Sequence, residues 1–88
     1  MKIKEGFILR EVAGQSVVVA IGSASKKFKG VINLNETGAL LFKTLKNDVS
    51  KEELINVLMN EYDVEETIAK EDVEYFVKSL KDAGLIDE

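Results

Sequence analysis

The chain has 88 residues and a formal net charge of −4, and its 45% hydrophobic and 32% charged residues fit one folded domain over residues 1–88. It has no cysteine and no histidine, which removes disulfides, thiolate metal sites and the commonest general base, so we expect neither an enzyme nor a metal or cofactor site. The longest apolar run is residues 17–21, far below the ~20 that cross a bilayer, and no signal-peptide pattern is present, so we expect a cytoplasmic protein without membrane contact.

Three strands are predicted in the first part of the chain. Their ranges are 7–12, 16–21 and 27–34. Gly14 supplies the positive φ that a tight hairpin between the first two needs, and residues 22–25 are predicted to form a loop. The third range alternates apolar and polar residues and places Lys27 and Lys29 on its outward face, a common protection for an unpaired edge. We therefore expect an antiparallel sheet with the second strand in the middle and the third at an edge.

Three helices are predicted in the rest of the chain. Their ranges are 36–46, 51–61 and 65–83. Asn35 and Ser50 are placed to cap the first two helices, with Glu53 completing a capping box, and Gly84 is placed to end the third in a left-handed conformation. The predicted fold is α+β and winged-helix-like, with an N-terminal three-stranded antiparallel sheet followed by a three-helix bundle.

The last predicted helix carries more apolar surface than one core contact requires. Its core-facing stripe is Ala69, Val73, Phe76, Val77 and Leu80. A second flank, mostly small or apolar, holds Ile68, Asp72, Tyr75, Ser79 and Ala83. Stripe and flank together span roughly 200°, against ≳100° for a single packed face. We expect the surplus to be covered by the sheet, by a second copy of the chain or by a bound peptide, although simple core packing is the better explanation for any one residue.

Charge is distributed unevenly along the chain. Residues 1–34 have a net charge of +4 and residues 35–88 a net charge of −8. This split fits two solvated surfaces, and it also fits a binding site between a basic wall, the third strand, and an acidic wall, the last helix. Such a site would orient a peptide that carries both signs of charge. Residues 61–88 have a net charge of −7, so the last helix would be repelled by the phosphates of DNA.

Two segments resemble the pyrroloquinoline quinone synthesis protein D (PqqD) family. The first is the strand-to-helix junction K-G-V-I-N-L-N-E-T-G-A over residues 29–39. The second is the pattern D-V-x-x-F-x-x-x-L-x-x-x-G-L-I over residues 72–86. Each motif alone is moderately specific, and the two together, at this spacing and chain length, are fairly specific. The resemblance as a whole covers most of the chain, from about Phe7 to Ile86, in the expected order.

The resemblance implies a RiPP recognition element, a non-catalytic adaptor that binds the leader segment of a ribosomally made precursor peptide. Such modules add the leader as an extra strand beside the third strand, against the last helix, and present it to a modifying enzyme, usually a radical S-adenosylmethionine (SAM) maturase. Similar modules serve unrelated peptides, so the product need not be the quinone. The peptide-binding residues carried over are Lys27, Lys29, Val31, Ile32, Asn33, Asp72, Tyr75, Phe76, Ser79 and Ala83.

Two alternatives belong to other functional classes. A winged-helix DNA-binding regulator shares the expected architecture, but the acidic last helix disfavours it. A small dimerising structural domain would bury the surplus flank of the last helix in a self-interface. For the adaptor we expect a monomer or weak homodimer that binds no nucleic acid.

Overall fold

In a computed structural model, described for residues 1–28 and 30–86, a three-stranded antiparallel sheet is followed by a group of helices. The elements are β1 (Phe7–Val12), β2 (Gln15–Ala20), α1 (Ala24–Lys27), β3 (Val31–Leu34), α2 (Glu36–Thr44), α3 (Lys51–Glu61) and α4 (Glu66–Asp82). The strand order is β1-β2-β3, so β2 is central and β3 is an edge strand. The predicted α+β fold is confirmed. No helix among the described residues has the length and hydropathy to span a bilayer.

The β1–β2 hairpin closes through a two-residue turn. Ala13 has a φ of 53° and Gly14 a φ of 81°. Positive φ at both central residues is the requirement of a type I′ turn, whose twist matches that of the flanking strands. Gly14 has the predicted role, whereas the left-handed conformation of Ala13 was not anticipated.

The third strand is shorter than predicted, and the preceding segment is not a loop. Residues 24–27 form the single-turn helix α1, and β3 begins only at Val31. The prediction that Lys27 lies on the strand edge is therefore wrong, because this lysine belongs to α1. Lys29, the other lysine assigned to that edge, lies outside the described residues.

Contacts with the start of β1 explain why α1 replaces the predicted loop. Gly6 has a φ of 96°, and a Cβ at this position would lie 2.6 Å from the Cβ of Ala24, so only glycine allows α1 to approach this closely. The backbone N–H of Ile21 donates to the Gly6 carbonyl at 2.7 Å. Phe28 packs edge-on against Phe7, with ring centroids 5.5 Å apart. Residues 24–28 are thus held against Gly6 and Phe7, so the strand that pairs with β2 begins only at Val31.

The inner face of the sheet packs on the helices and forms the core. Within β3 the predicted alternation is confirmed, because Ile32 and Leu34 are half-buried against the core while Val31 and Asn33 are exposed. The buried residues of this core are Ile3, Val18, Leu41, Phe42, Leu45, Leu54, Leu58, Ala69, Val73, Phe76, Val77, Leu80, Leu85 and Ile86. The predicted core stripe of α4 is entirely within this set.

The predicted helix caps are confirmed, although α2 ends at Thr44 instead of residue 46 and α4 spans Glu66–Asp82 instead of 65–83. The Gly38 N–H donates to Oδ1 of Asn35 at 2.8 Å, and Ser50 forms a capping box with Glu53. At the end of α4, Gly84 has a φ of 84°, and the Leu85 N–H donates to the Leu80 carbonyl at 2.8 Å. This Schellman-type ending folds the last described residues onto the core.

The first four residues join parts of the chain that lie far apart in sequence, which was not predicted. Ile3 is buried and forms an antiparallel bridge with Ile86. Its N–H donates to the Leu45 carbonyl at 2.9 Å, and the terminal amine of Met1 donates to Oδ1 of Asp48 at 2.7 Å. The chain start therefore ties the α2–α3 connection to the C-terminal segment.

Candidate functional site

The hydrogen-bonding direction of each β2 residue follows from the hairpin turn. In a two-residue type I′ hairpin the flanking residues, here Val12 and Gln15, form a hydrogen-bonded pair. Hydrogen-bonded and non-hydrogen-bonded pairs then alternate along an antiparallel ladder. Gln15 and Val17 therefore direct their backbone groups at β1, and Ser16 and Val18 direct theirs at β3.

The same register assigns the backbone groups of β3. Ser16 pairs with Leu34 and Val18 pairs with Ile32, so these two β3 residues use their N–H and C=O groups on β2. The N–H and C=O groups of Val31 and Asn33 consequently point away from the sheet. In the described part of the chain no further strand pairs with β3. This edge thus offers backbone donors and acceptors to an additional strand.

A groove of about 460 Å³ runs between this edge and α4. Its lining residues are Ile32, Asn33, Leu34, Asn35, Thr37, Gly38, Leu41, Asp72, Tyr75, Phe76, Ser79 and Leu80. Leu41 and Leu80 are buried in the core, and Phe76 is 8% exposed, so these side chains make an apolar floor. A guest strand on β3 would project every second side chain toward this floor.

The rim of the groove on α4 is open to solvent. Tyr75 is 77% exposed, and Asp72 and Ser79 are also exposed. Ile68, on the same flank, is 48% exposed. The surplus flank predicted for the last helix is therefore covered neither by the sheet nor by another described part of the chain.

Six of the ten predicted site residues line this groove. They are Ile32, Asn33, Asp72, Tyr75, Phe76 and Ser79. Val31 lies on the adjacent edge, where its backbone faces outward while its side chain is 57% exposed on the outer face of the sheet. Ala83 is exposed at the C-cap of α4 and is not among the lining residues. Lys27 lies in α1, apart from the groove lining.

Sequence reasoning missed the contribution of α2 to the groove. Asn35, which caps α2, and Thr37, Gly38 and Leu41 of that helix are among its lining residues. A signal was present, because only Asn35 separates β3 from α2, so the first turn of that helix has to lie beside the strand. The cap of α2 was predicted correctly, but the position of its first turn beside the groove was not predicted.

A larger cavity of about 790 Å³ lies near the hairpin turn. Its lining residues include Glu11, Gln15, Glu36, Lys43, Glu61 and Tyr62. Desolvation and the neighbouring Glu36 carboxylate raise the pKa of Tyr62, so its hydroxyl keeps its proton at neutral pH and donates to Glu36 at 3.3 Å. This cavity shares Asn33 and Leu34 with the groove, but it carries three carboxylates and lacks the apolar floor, so it suits an extended peptide with apolar side chains less well than the groove.

Two solved structures share the fold over nearly the whole chain. One is TbiB1 in complex with the TbiA(beta) leader peptide, with a TM-score of 0.77, 18% identity, and coverage of 99% of this chain and 95% of that chain. The other is a lasso peptide synthetase B1 complexed with the leader peptide, with a TM-score of 0.73, 26% identity, and coverage of 96% and 93%. No curated protein compared with the chain matches it significantly.

The family model described as coenzyme PQQ synthesis protein D (PqqD) matches residues 15–86. The match spans β2, β3 and all four helices, and therefore both sides of the groove. It includes the two segments on which the resemblance was based. The chain belongs to the PqqD family.

Proposed function

We propose that the protein is a non-catalytic adaptor, a RiPP recognition element, that binds the leader segment of a ribosomally made precursor peptide. The observation that carries this proposal is the unpaired edge of β3 beside an apolar groove against α4. Further support comes from the two structural neighbours, each described in complex with a leader peptide. Membership of the PqqD family points in the same direction.

The leader would bind by adding a fourth strand to the sheet. The outward N–H and C=O groups of Val31 and Asn33 provide four main-chain hydrogen bonds, each contributing about 0.5–1.5 kcal/mol net. These main-chain bonds contribute affinity that does not depend on the side chains of the leader. Selectivity comes from the alternate side chains of the leader, which enter the groove over Phe76 and Leu41.

The adaptor would present its bound leader to a modifying enzyme. The PqqD family suggests a radical SAM maturase for this role, and we place the exchange in the cytoplasm, where ribosomal peptides are made. The adaptor itself would act as a monomer or weak homodimer, because a dimer that covered the α4 flank would compete with the leader.

Proline at Val31 tests strand addition directly. Val31→Pro removes an N–H that faces the guest strand rather than β2, so we expect an intact fold and at least about a tenfold loss of peptide affinity. The probe is a peptide selected from a displayed library of random 16-residue sequences and then synthesised with a fluorophore. Affinity is measured by fluorescence anisotropy and folding by circular dichroism.

Glu11→Pro is the matched control. Glu11 is exposed on β1, and the hairpin register turns its N–H away from β2 in the same way, but on the opposite edge of the sheet. We expect this variant to keep full affinity. Equal affinities of wild type and a folded Val31→Pro variant would contradict strand addition at β3.

A further inference from the structure

The groove has a distinctive electrostatic character. Among the described residues that line it, Asp72 alone carries a formal charge. The described residues of β3 are uncharged, and Lys27, which the sequence had placed on the strand side, lies in α1. Among the described residues, therefore, no basic side chain lines the groove, and the basic and acidic walls suggested by the charge asymmetry stay a prediction. The described lining offers a peptide an apolar groove with one carboxylate on its rim.

The side chain beside this carboxylate is an exposed aromatic ring. Asp72 and Tyr75 are three positions apart on α4, so they are neighbours on one helix face. Tyr75 is 77% exposed, although it is a large side chain at the mouth of an apolar groove. A carboxylate next to an accessible aromatic face is a combination that attracts a guanidinium or ammonium group, through a charge-assisted hydrogen bond and a cation–π contact.

We propose that Asp72 and Tyr75 select leader peptides that carry an arginine or lysine at one defined position. This inference rests on the proposed function and adds to it the chemical class of the bound segment. The basic side chain sits on the rim over Asp72 and Tyr75, while an apolar side chain of the same strand fills the floor beside Phe76.

The repeat lengths of helix α4 and of an extended guest strand predict how far apart the basic and the apolar residue of the peptide lie. Asp72 and Phe76 are one turn apart on α4, which is about 6 Å along the helix axis. In an extended strand, side chains on the same face recur every second residue, about 6.7 Å apart. A guest strand that runs along α4 would therefore place the basic residue two positions from the apolar residue, on the same face of the strand.

Library selection with charge variants tests this specificity. Wild type, Asp72→Asn and Asp72→Lys are each used to select from the displayed library of random 16-residue peptides. We expect wild type to enrich arginine or lysine two positions from a large apolar residue, Asp72→Asn to lose that preference, and Asp72→Lys to enrich aspartate or glutamate there. A synthetic wild-type-selected peptide should bind Asp72→Asn about tenfold more weakly, and its affinity for wild type should fall as salt is raised.

Glu71→Gln is the matched control for net charge. Glu71 is the adjacent exposed acid, and it is not among the lining residues. This variant makes the same change in total charge, so an effect of long-range attraction alone would appear equally in both variants. We expect Glu71→Gln to select the same peptides as wild type and to bind them with unchanged affinity.

The outcomes separate this inference from the proposed function. Selected peptides with the apolar residue but no basic preference, or equal affinities for wild type and Asp72→Asn, would overturn the role of Asp72 and leave strand addition standing. If wild type selects no peptide, or if the selected peptides bind Val31→Pro as tightly as wild type, the proposed function itself fails, and the specificity inference fails with it.

Discussion

At the scale of single residues, Ser79 shows how the groove can be altered without loss of the fold. It is exposed on the rim, and its hydroxyl donates to the Tyr75 carbonyl at 2.8 Å within the helix. Ser79→Arg would place a long side chain in the groove, so we expect at least about a tenfold loss of peptide affinity. Because the lost hydrogen bond is local and solvent-exposed, the free energy of unfolding should change by less than about 1 kcal/mol. Anisotropy titration and urea unfolding measure the two effects.

Ser79→Ala distinguishes the effect of added side-chain volume from the effect of losing the Ser79 hydroxyl. It removes the hydroxyl and adds no volume, so it should bind peptide as wild type does. A Ser79→Arg protein that retains full affinity would show that peptide does not lie against this flank. Strong destabilisation would instead mean that the flank is part of the core.

At the scale of elements, the backbone groups of β3 alternate between pointing at β2 and pointing away from the sheet. The register turns the amides of Val31 and Asn33 outward and those of Ile32 and Leu34 toward β2. In amide hydrogen exchange followed by NMR, we expect the outward pair to exchange fast and the inward pair to be protected. Bound peptide should slow the outward pair by about tenfold or more.

Exchange measured at two protein concentrations tests for a dimer in which a second copy of the chain pairs with the β3 edge. If a second copy of the chain covered the edge, the outward amides would be protected in the free protein, and more strongly at the higher concentration. Fast exchange at both concentrations is the result expected for a vacant edge.

At the scale of the whole molecule, the contact between the Met1 amine and Asp48 links the chain start to the α2–α3 connection. The amine donates a hydrogen bond to the carboxylate and attracts it by charge, which lowers the pKa of Asp48 from 3.8. Because the pKa is lower in the folded state, this contact stabilises the fold above about pH 4 and is lost as the pH falls below that value. We therefore expect Asp48→Asn to be less stable than wild type at pH 7 in urea unfolding.

The difference between wild type and Asp48→Asn should shrink as the pH falls below about 4, because protonation of Asp48 removes the charge that attracts the Met1 amine. Asp63→Asn, a change at an exposed aspartate between α3 and α4, controls for total charge. A stability difference that persists unchanged at pH 2 would assign the effect to something other than ionisation of Asp48.

Features that depend on neighbouring residues could be predicted from the sequence. The hairpin at Gly14 and the caps at Asn35, Ser50 and Gly84 each require a particular residue type at a particular place, and all four are present in the structure. The core stripe and the exposed flank of α4 follow from helical periodicity in the same way. Both sides of the groove could thus be predicted from the sequence, one as an edge strand and the other as a helix with more apolar surface than core packing requires.

Features that depend on distant residues were not predictable in this way. The close approach of α1 to Gly6 keeps Lys27 out of the strand edge. The bridge between Ile3 and Ile86 joins the first residues of the chain to the last described ones. The sequence alone was enough to predict most strands and helices, their caps and their apolar faces, because capping hydrogen bonds and the spacing of apolar residues involve positions only a few residues apart. The meeting of β3 and α4 across one groove, with Asp72 as its single described charge, results from core packing between residues dozens of positions apart.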